Sequence, residues 1–301
     1  MEAGARTHEV RARPTSRARQ VASDYLDMTK PKVQSLLLFT TVTTMYVAGT
    51  PSLGLVLLTC LGGALASGGA GAINHFIDRD IDAKMSRTAN RPVPSGRVAP
   101  WAALTYGIVL GVCSFALLAL TVNVLAASLA LSGLLGYVLV YTLWLKRRTP
   151  QNIVIGGAAG AVPPLVAWAA VTGHLSGTAI YLFAIVFYWT PPHFWALSLL
   201  MTDEYASAGV PMLPVVRGEA ETRWQILLYT ILLVAVTLLP FAFGVFDGLY
   251  FVAALLLGSA FTAMALKLRR DAERRTALKL YLFSLAYLAL LFAAMVGDAR
   301  L

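Results

Sequence analysis

Long apolar runs are the feature that most limits what this chain can fold into. A helix needs about 20 apolar residues to cross the roughly 30 Å hydrocarbon layer of a membrane, and the 301-residue sequence contains nine runs of about that length. Its residues are 58% hydrophobic and only 13% charged, whereas soluble domains carry about 25% charged residues. The sequence therefore predicts an all-α integral membrane protein. Its nine predicted transmembrane helices lie at about residues 33–51, 54–77, 101–120, 122–143, 153–173, 178–201, 224–244, 249–266 and 279–297.

Basic residues provide a test of this count, since they collect in cytoplasmic loops. Of the 24 Lys and Arg residues, 23 precede the first run or lie in every second loop after it, and Arg300 is the remaining one. The pattern predicts a multi-pass protein of the bacterial plasma membrane with a cytoplasmic N-terminus and an external C-terminus. The net charge of +9 then reflects topology and contact with anionic lipid, so no nucleic-acid partner is expected.

The chain divides into a tail and one membrane domain. Residues 1–23 are rich in Arg and lack an apolar core, which predicts a disordered cytoplasmic tail and not a secretory signal peptide. A mitochondrial transit peptide would share the Arg content, but Glu2 and Glu9 disfavour it. Residues 24–301 form the predicted membrane domain, and residues 24–31 a short interfacial helix before the first span.

Two long cytoplasmic loops follow the second and the sixth predicted span, and both begin with carboxylates. This is a weak internal repeat, and duplicated halves of membrane proteins often share a site at their interface. It predicts two four-helix units plus a ninth helix, arranged around a central cavity that opens to the cytoplasmic side.

The first of these loops begins with the sequence N-H-F-I-D-R-D-I-D. Asn74, Asp78 and Asp82 recur every four residues, so they share one face of a helix, whereas Asp80 points away. Charges at the edge of a membrane are costly and therefore indicate function. Oxygen ligands without His or Cys suit Mg²⁺, which binds one or two carboxylates together with phosphate oxygens. A solvated helix end is the alternative interpretation.

Basic residues surround this cluster. Arg87 and Arg91 follow it, and Lys146 and Arg147 end the fourth predicted span on the same side of the membrane. A metal held by carboxylates and surrounded by Arg and Lys is a way to bind a diphosphate. A diphosphate at a lipid surface predicts an isoprenoid diphosphate, with its polar head among the loops and its apolar tail between helices.

The second long loop supplies further polar residues. Glu204 follows His193 by eleven residues, which places both on one face if the helix is continuous, and the adjacent Asp203 faces elsewhere. Pro191 and Pro192 precede His193 and are expected to loosen the helix, which favours a cavity position for His193. A hydrogen-bonded packing role is the alternative for this histidine.

Five segments carry a resemblance to a known family. They are N-H-F-I-D-R-D-I-D-A-K-M-S-R-T-A-N-R-P at residues 74–92, Y-T-L-W-L-K-R-R-T-P-Q-N at 141–152, G-G-A-A-G-A-V-P-P at 156–164, W-T-P-P-H-F-W-A-L at 189–197 and G-V-P-M-L-P-V-V at 209–216. Together they resemble the UbiA-type intramembrane prenyltransferases and, within that superfamily, the branch of protoheme IX farnesyltransferases. The resemblance extends over about residues 24–297.

This resemblance implies a role for each candidate residue. It implies that a first group binds Mg²⁺ and diphosphate: Asn74, Asp78 and Asp82. It implies that a second group contacts the diphosphate: Arg87, Arg91, Lys146 and Arg147. It further implies that Glu204 is catalytic, that Asp203 and Tyr205 contribute to substrate binding, and that His193 positions a heme. The family commonly has two aspartates four residues apart after the sixth span, and this chain has only the adjacent Asp203 and Glu204.

The implied reaction transfers a farnesyl group from farnesyl diphosphate to a vinyl group of heme b, with addition of water, and yields heme O and diphosphate. A heme A synthase is an implied partner, and a terminal oxidase an implied consumer. Two alternatives remain open. One is a related prenyltransferase acting on a quinone, chlorophyll or lipid precursor. The other is a cation-coupled transporter, although the carboxylates lie at one membrane surface and not at the midplane.

Overall fold

Helices make up nearly all of the computed structural model, which describes residues 17–301 and contains no strand among them. The predicted tail residues 1–16 lie outside this range. The α-helices are α1 Arg17–Met28, α2 Pro31–Ala48, α3 Leu53–Ile77, α4 Arg79–Asp82, α5 Pro100–Thr121, α6 Val124–Leu135, α7 Asn152–Gly160, α8 Val162–Thr172, α9 Gly177–Leu199, α10 Thr202–Ser207, α11 Leu213–Ala242, α12 Gly248–Asp271 and α13 Arg274–Asp298. A π-helix, Gly136–Leu145, continues α6.

Seven helical segments in the described part of the chain are long and apolar enough to cross a membrane. They are Leu53–Ile77, Pro100–Thr121, Val124–Leu145, Asn152–Thr172, Leu213–Ala242, Gly248–Asp271 and Arg274–Asp298. Each overlaps one of the nine predicted spans, although Leu213–Ala242 begins eleven residues before the predicted span 224–244. Helices α2 and α9 occupy the positions of the first and sixth predicted spans but are less apolar, since α2 contains four buried threonines and α9 contains two prolines and a histidine. Membrane crossing by α2 and α9 remains a prediction.

The short loops at the predicted external side are closed by helix caps. The side chains of Ser52, Asn123 and Ser176 each accept a hydrogen bond from the backbone N–H three residues later, at 3.2, 2.8 and 3.3 Å. Such caps satisfy backbone donors that have no partner inside the helix. The start of α12 is capped from a distance, because the Asp298 carboxylate accepts from the backbone N–H of Asp247 at 2.6 Å. These caps explain how helices reverse within a few uncharged residues.

Helices α3 and α5 approach each other closely through glycine. A Cβ atom on Gly107 would lie 2.7 Å from the backbone oxygen of Gly69, and one on Gly69 would lie 2.7 Å from the oxygen of Gly107. Small residues allow such contact between membrane helices. The Ser114 hydroxyl also donates to the backbone oxygen of Gly62 at 2.7 Å. This packing fixes α3, whose C-terminal end carries the candidate site.

The π-helix has the most direct influence on that site. Its wider turn is closed by a bond from the Lys146 backbone N–H to the Tyr141 oxygen, five residues earlier, at 2.8 Å. Single π-helical turns are often found at functional sites. The turn directs Thr142 and Lys146 toward α3, where Thr142 lies 3.4 Å from the Asn74 amide nitrogen. Apolar periodicity contains no signal for this change of helix type.

The N-terminal boundary differs from the sequence-based prediction. Residues 17–23, assigned above to the tail, form the first turns of α1. Asp24 is buried on this helix and accepts hydrogen bonds from Gln20 at 3.3 Å and from Arg97 at 2.9 Å. Arg97 belongs to the loop before α5, so a contact over 73 residues anchors α1 in a way that local sequence does not reveal.

Buried apolar side chains divide the helices differently from the predicted repeat. One large cluster includes Val166 and Ala167 of α8 together with residues of α2, α3, α5 and α6. Another large cluster consists mainly of residues from α9, α11, α12 and α13. The fifth predicted span therefore contributes to both groups, since its Ile153 and Ala161 belong to the second cluster, and the ninth packs with the second group. In the predicted arrangement, by contrast, the fifth span begins the second unit and the ninth stands apart.

Candidate active site

Asn74, Asp78 and Asp82 lie on one buried face, as their spacing predicts. Their side chains belong to residues that are 3%, 0% and 3% exposed. Helix α3 ends just before Asp78 and α4 begins just after it, yet the i→i+4 bonding continues: the Asp78 N–H donates to Asn74 and the Asp82 N–H to Asp78, at 2.9 and 2.8 Å. The Asp80 side chain is 56% exposed, which confirms that it faces away.

Each oxygen-bearing group on this face is bound by its own basic side chain. The pairs are Lys30 Nζ with Asn74 Oδ1 at 2.6 Å, Lys146 Nζ with Asp78 Oδ2, and Arg91 Nη1 with Asp82 Oδ2 at 2.7 Å. Burying a charge is costly unless it is paired and hydrogen-bonded, so these cations allow two carboxylates to be buried together. Sequence reasoning placed the basic residues nearby, but it neither paired them with individual ligands nor included Lys30.

Arg147 lies at the exposed rim of this cluster. Its guanidinium binds Asp80 through two hydrogen bonds of 2.8 and 2.7 Å and lies 3.6 Å from Asp78 Oδ1. The hydrogen bonds from Arg147 lower the pKa of Asp80 to about 2, so the pair is fully ionised at neutral pH. Arg147 is therefore held beside the buried face with its charge intact.

The exposure of Asp80 leads to a prediction about its replacement. Asp80→Asn removes only a surface partner of Arg147, and exposed ion pairs contribute at most about 1 kcal/mol. We expect turnover within about fivefold of wild type, measured with the purified variant. A loss comparable to that expected for Asp78 variants would contradict the assignment of Asp80 to the outer face.

A recess of about 260 Å³ lies beside this face and is strongly basic. Its lining residues are Asp27, Lys30, His75, Arg87, Asn90, Arg91, Pro92 and Arg97. Burial, together with the positive charges of Arg91 and Lys146, lowers the pKa of Lys30 from 10.5 to about 7. Four basic side chains face one carboxylate here, and although Arg91 and Arg97 are paired with Asp82 and Asp24, Lys30 and Arg87 add positive charge that attracts anions. The structure therefore brings the predicted contacts Arg87 and Arg91 together with Lys30.

The loop after α9 contacts the loop after α4 through Glu204. Its Oε1 accepts a hydrogen bond from the Ser86 hydroxyl at 3.0 Å, and its Oε2 is buried without a hydrogen-bond partner. Asp203 is exposed, and both Asp203 and Glu204 line a second recess of about 310 Å³. Burial raises the pKa of Tyr205, on which the charges of Arg87, Lys146 and Arg91 also act. Its hydroxyl thus remains protonated near the basic residues and is able to donate a hydrogen bond.

The predicted common face of His193 and Glu204 is wrong. Helix α9 ends at Leu199 and α10 begins at Thr202, so the two residues do not lie on one continuous helix. The chain turns between them with i→i+3 bonds, such as the 3.1 Å bond from the Met201 N–H to Ser198. Helix α9 nevertheless runs through Pro191 and Pro192 without a break.

His193 is instead held by aromatic and hydroxyl neighbours. Its ring stacks against Trp189 and Tyr281, with centroids 4.3 and 4.8 Å away, and Nδ1 lies 2.6 Å from the Ser284 hydroxyl. That hydroxyl donates its proton to the Tyr281 backbone oxygen at 2.6 Å, so it accepts from His193. The hydrogen-bond pattern therefore assigns the proton to Nδ1 and leaves the Nε2 lone pair available to bind a metal or accept a proton.

The side-chain oxygens of Asn74, Asp78 and Asp82 suit a hard cation that binds oxygens of the enzyme and of its substrate at the same time. No group of three or more His, Cys, Asp or Glu residues positioned to hold a metal occurs among residues 17–301. Asp78 and Asp82 would therefore require oxygens from elsewhere, and Mg²⁺ commonly takes these from phosphate and water. Asp78 Oδ1 is buried without a hydrogen-bond partner, which leaves a lone pair for such an ion.

Comparisons with known proteins identify the family of this chain. Residues 36–291 match the model of the UbiA prenyltransferase family. A protoheme IX farnesyltransferase from Roseiflexus sp. (strain RS-1) is 56% identical over 277 residues, which are 91% of this chain and 52% of that protein. This chain thus spans about half the length of that relative. A protoheme IX farnesyltransferase from Symbiobacterium thermophilum is 52% identical over 291 residues, 95% of this chain and 97% of that protein.

A solved structure shares the fold. The structure of a UbiA homolog from Archaeoglobus fulgidus bound to DMAPP and Mg²⁺ superposes with a TM-score of 0.65. It covers 90% of this chain and 99% of its own chain, at 18% sequence identity. The similarity at this level concerns the helical architecture alone.

Proposed function

Because this chain belongs to the UbiA prenyltransferase family, we propose that it is a protoheme IX farnesyltransferase. It transfers the farnesyl group of farnesyl diphosphate to a vinyl group of heme b, adds water, and releases heme O and diphosphate. The observation that carries the proposal is the buried Asn74–Asp78–Asp82 face, in which each group contacts a basic side chain. The 52% identity to the Symbiobacterium protein over nearly its whole length supports the choice of substrates.

The chain is an all-helical, multi-pass membrane protein. We propose that α2 and α9 also cross the bilayer, giving nine spans around a central cavity open to the cytoplasm. The charge distribution supports a cytoplasmic N-terminus and site and an external C-terminus in a bacterial plasma membrane. A heme A synthase would receive the product.

The basic residues stabilise the leaving group. As the farnesyl C1–O bond breaks, negative charge develops on the diphosphate, and Arg87, Arg91, Lys146 and Arg147 would neutralise it. Asp78 and Asp82, with Asn74, would hold Mg²⁺, which when bound supplies further charge neutralisation. The DMAPP and Mg²⁺ in the Archaeoglobus homolog support this use of a divalent ion.

The remaining candidate residues act on the acceptor and on the entrance to the site. His193 would bind or orient the heme through its Nε2 lone pair, since Ser284 accepts the Nδ1 proton. The electron-rich vinyl group then attacks C1 of the allylic cation, and water captures the cation that results. Glu204 joins the second loop to Ser86, with Tyr205 and Asp203 beside it. Glu204 in this position would order the cytoplasmic side of the site during transfer.

Pigment analysis tests this function directly. Cells expressing the chain, or purified chain supplied with farnesyl diphosphate, heme b and Mg²⁺, are expected to yield hydroxyethylfarnesyl heme by mass spectrometry. Chelation of the metal is expected to abolish the product. A prenylated quinone, chlorophyll or lipid precursor in place of heme O would identify another activity of the family. Cation movement without diphosphate release would identify a transporter.

A further inference from the structure

We propose that Lys30 is a diphosphate-binding and positioning residue of this site: it fixes the Asn74 amide and directs a free ammonium proton toward the diphosphate bound beside Arg87 and Arg91. The inference rests on the proposed function, because it concerns the same site. Lys30 lies in the T-K-P sequence before α2, where basic residues are otherwise explained by membrane topology.

The backbone at Lys30 has a conformation that is unusual for a lysine. Its φ and ψ are both 56°, in the left-handed region, and only Ala272 shares a positive φ among the non-glycine residues from 17 to 301. Such a conformation is strained for a residue with a side chain and is often found at ligand-binding positions. It directs the side chain across to α3, 44 residues away in sequence, whereas Lys32 is exposed.

The contact with Asn74 determines how this amide is oriented. Lys30 Nζ donates to Asn74 Oδ1 at 2.6 Å, and Asn74 Nδ2 donates to Asp78 Oδ2 at 2.6 Å. A reversed amide would place its NH₂ group against the ammonium and its oxygen against the carboxylate, and both contacts would be repulsive. Lys30 therefore positions Asn74 and, through it, the carboxylate of Asp78.

The Lys30 ammonium group has N–H donors that its contact with Asn74 does not use. Lysine carries three N–H donors, and in the described structure one points to Asn74 and a second to the Tyr137 hydroxyl at 3.4 Å. Lys30 also lines the 260 Å³ basic recess with Arg87 and Arg91. The third N–H is thus available to an anion in that recess. A diphosphate fits the requirement, since its negative charge favours the protonated form of Lys30 and its several oxygens can contact Lys30, Arg87 and Arg91 together.

The test compares Lys30→Met, Lys30→Arg and the matched control Lys32→Met in the purified full-length chain. Binding of magnesium diphosphate is measured by titration calorimetry, and KM is measured separately for farnesyl diphosphate and heme b. For Lys30→Met we expect diphosphate affinity to fall and the farnesyl diphosphate KM to rise by about 10- to 100-fold, because a charged hydrogen bond is lost. The heme b KM stays near wild type, Lys30→Arg recovers most of the affinity, and Lys32→Met behaves as wild type.

Other outcomes separate the possible failures. If Lys30→Met lowers kcat but leaves diphosphate affinity and the farnesyl diphosphate KM unchanged, Lys30 has a structural role only and the inference is overturned. If Lys30→Met does not fold, Lys30→Arg and Lys30→Gln decide by the same measurements. If diphosphate binding depends on Lys30 but no heme O forms, the inference survives and the proposed function fails.

Discussion

Replacement of Asp78 or Asp82 by alanine is expected to abolish farnesyl transfer, with kcat reduced at least about 100- to 1,000-fold, as for loss of a preorganised electrostatic group. Both carboxylates are buried and paired with cations, Asp78 with Lys146 and Asp82 with Arg91. Each replacement removes a proposed ligand for the divalent ion and leaves a basic side chain without its partner. The measurement is turnover of purified variants with farnesyl diphosphate and heme b.

Two controls make this result specific. Asp80 lies two residues from both Asp78 and Asp82, and Asp80→Asn changes only an exposed side chain. Asp78→Asn keeps the size of the side chain but removes its charge, so a variant that folds normally and is inactive attributes the loss to charge. Near-wild-type turnover of either alanine variant would remove the basis for the metal assignment.

Lys146→Met is expected to destabilise the protein as well as inactivate it. Asp78 is fully buried and the Lys146 side chain is 15% exposed, and loss of one partner of a buried pair costs about 3–5 kcal/mol. Among the described residues, Arg147 also forms an ion pair with Asp78, but at 3.6 Å it is too distant for a direct hydrogen bond. The melting temperature in detergent is therefore expected to fall clearly below that of wild type.

A double-mutant cycle distinguishes the ion pair from a general packing effect. In Asp78→Asn combined with Lys146→Met no buried charge is left unpaired, so the melting temperature is expected to recover while turnover stays absent. Arg148→Met is the matched control, because Arg148 is an exposed neighbour on the same loop. Additive losses of stability in the double variant would show that the two side chains act independently.

The contrast between the two loops shows how far sequence reasoning extends. Helical periodicity over nine residues predicts that three side chains share one face and that Asp80 points away from it. The structure confirms this for Asn74, Asp78 and Asp82. The same reasoning failed for His193 and Glu204, because it assumed one helix across residues 200–201, where the chain turns. Apolar content continues across that turn, so hydropathy carries no signal for the break.

The sequence by itself determined the membrane class, the approximate positions of the spans, the ligand face and the basic residues near it, because these depend on composition and on contacts within one or two helical turns. Only the tertiary structure decided which basic side chain binds which of Asn74, Asp78 and Asp82. Lys30 reaches Asn74 across 44 residues and Lys146 reaches Asp78 across 68. Both contacts depend on long-range geometry: a left-handed residue before α2, a π-helix after α6, and glycines that let α3 and α5 pack closely.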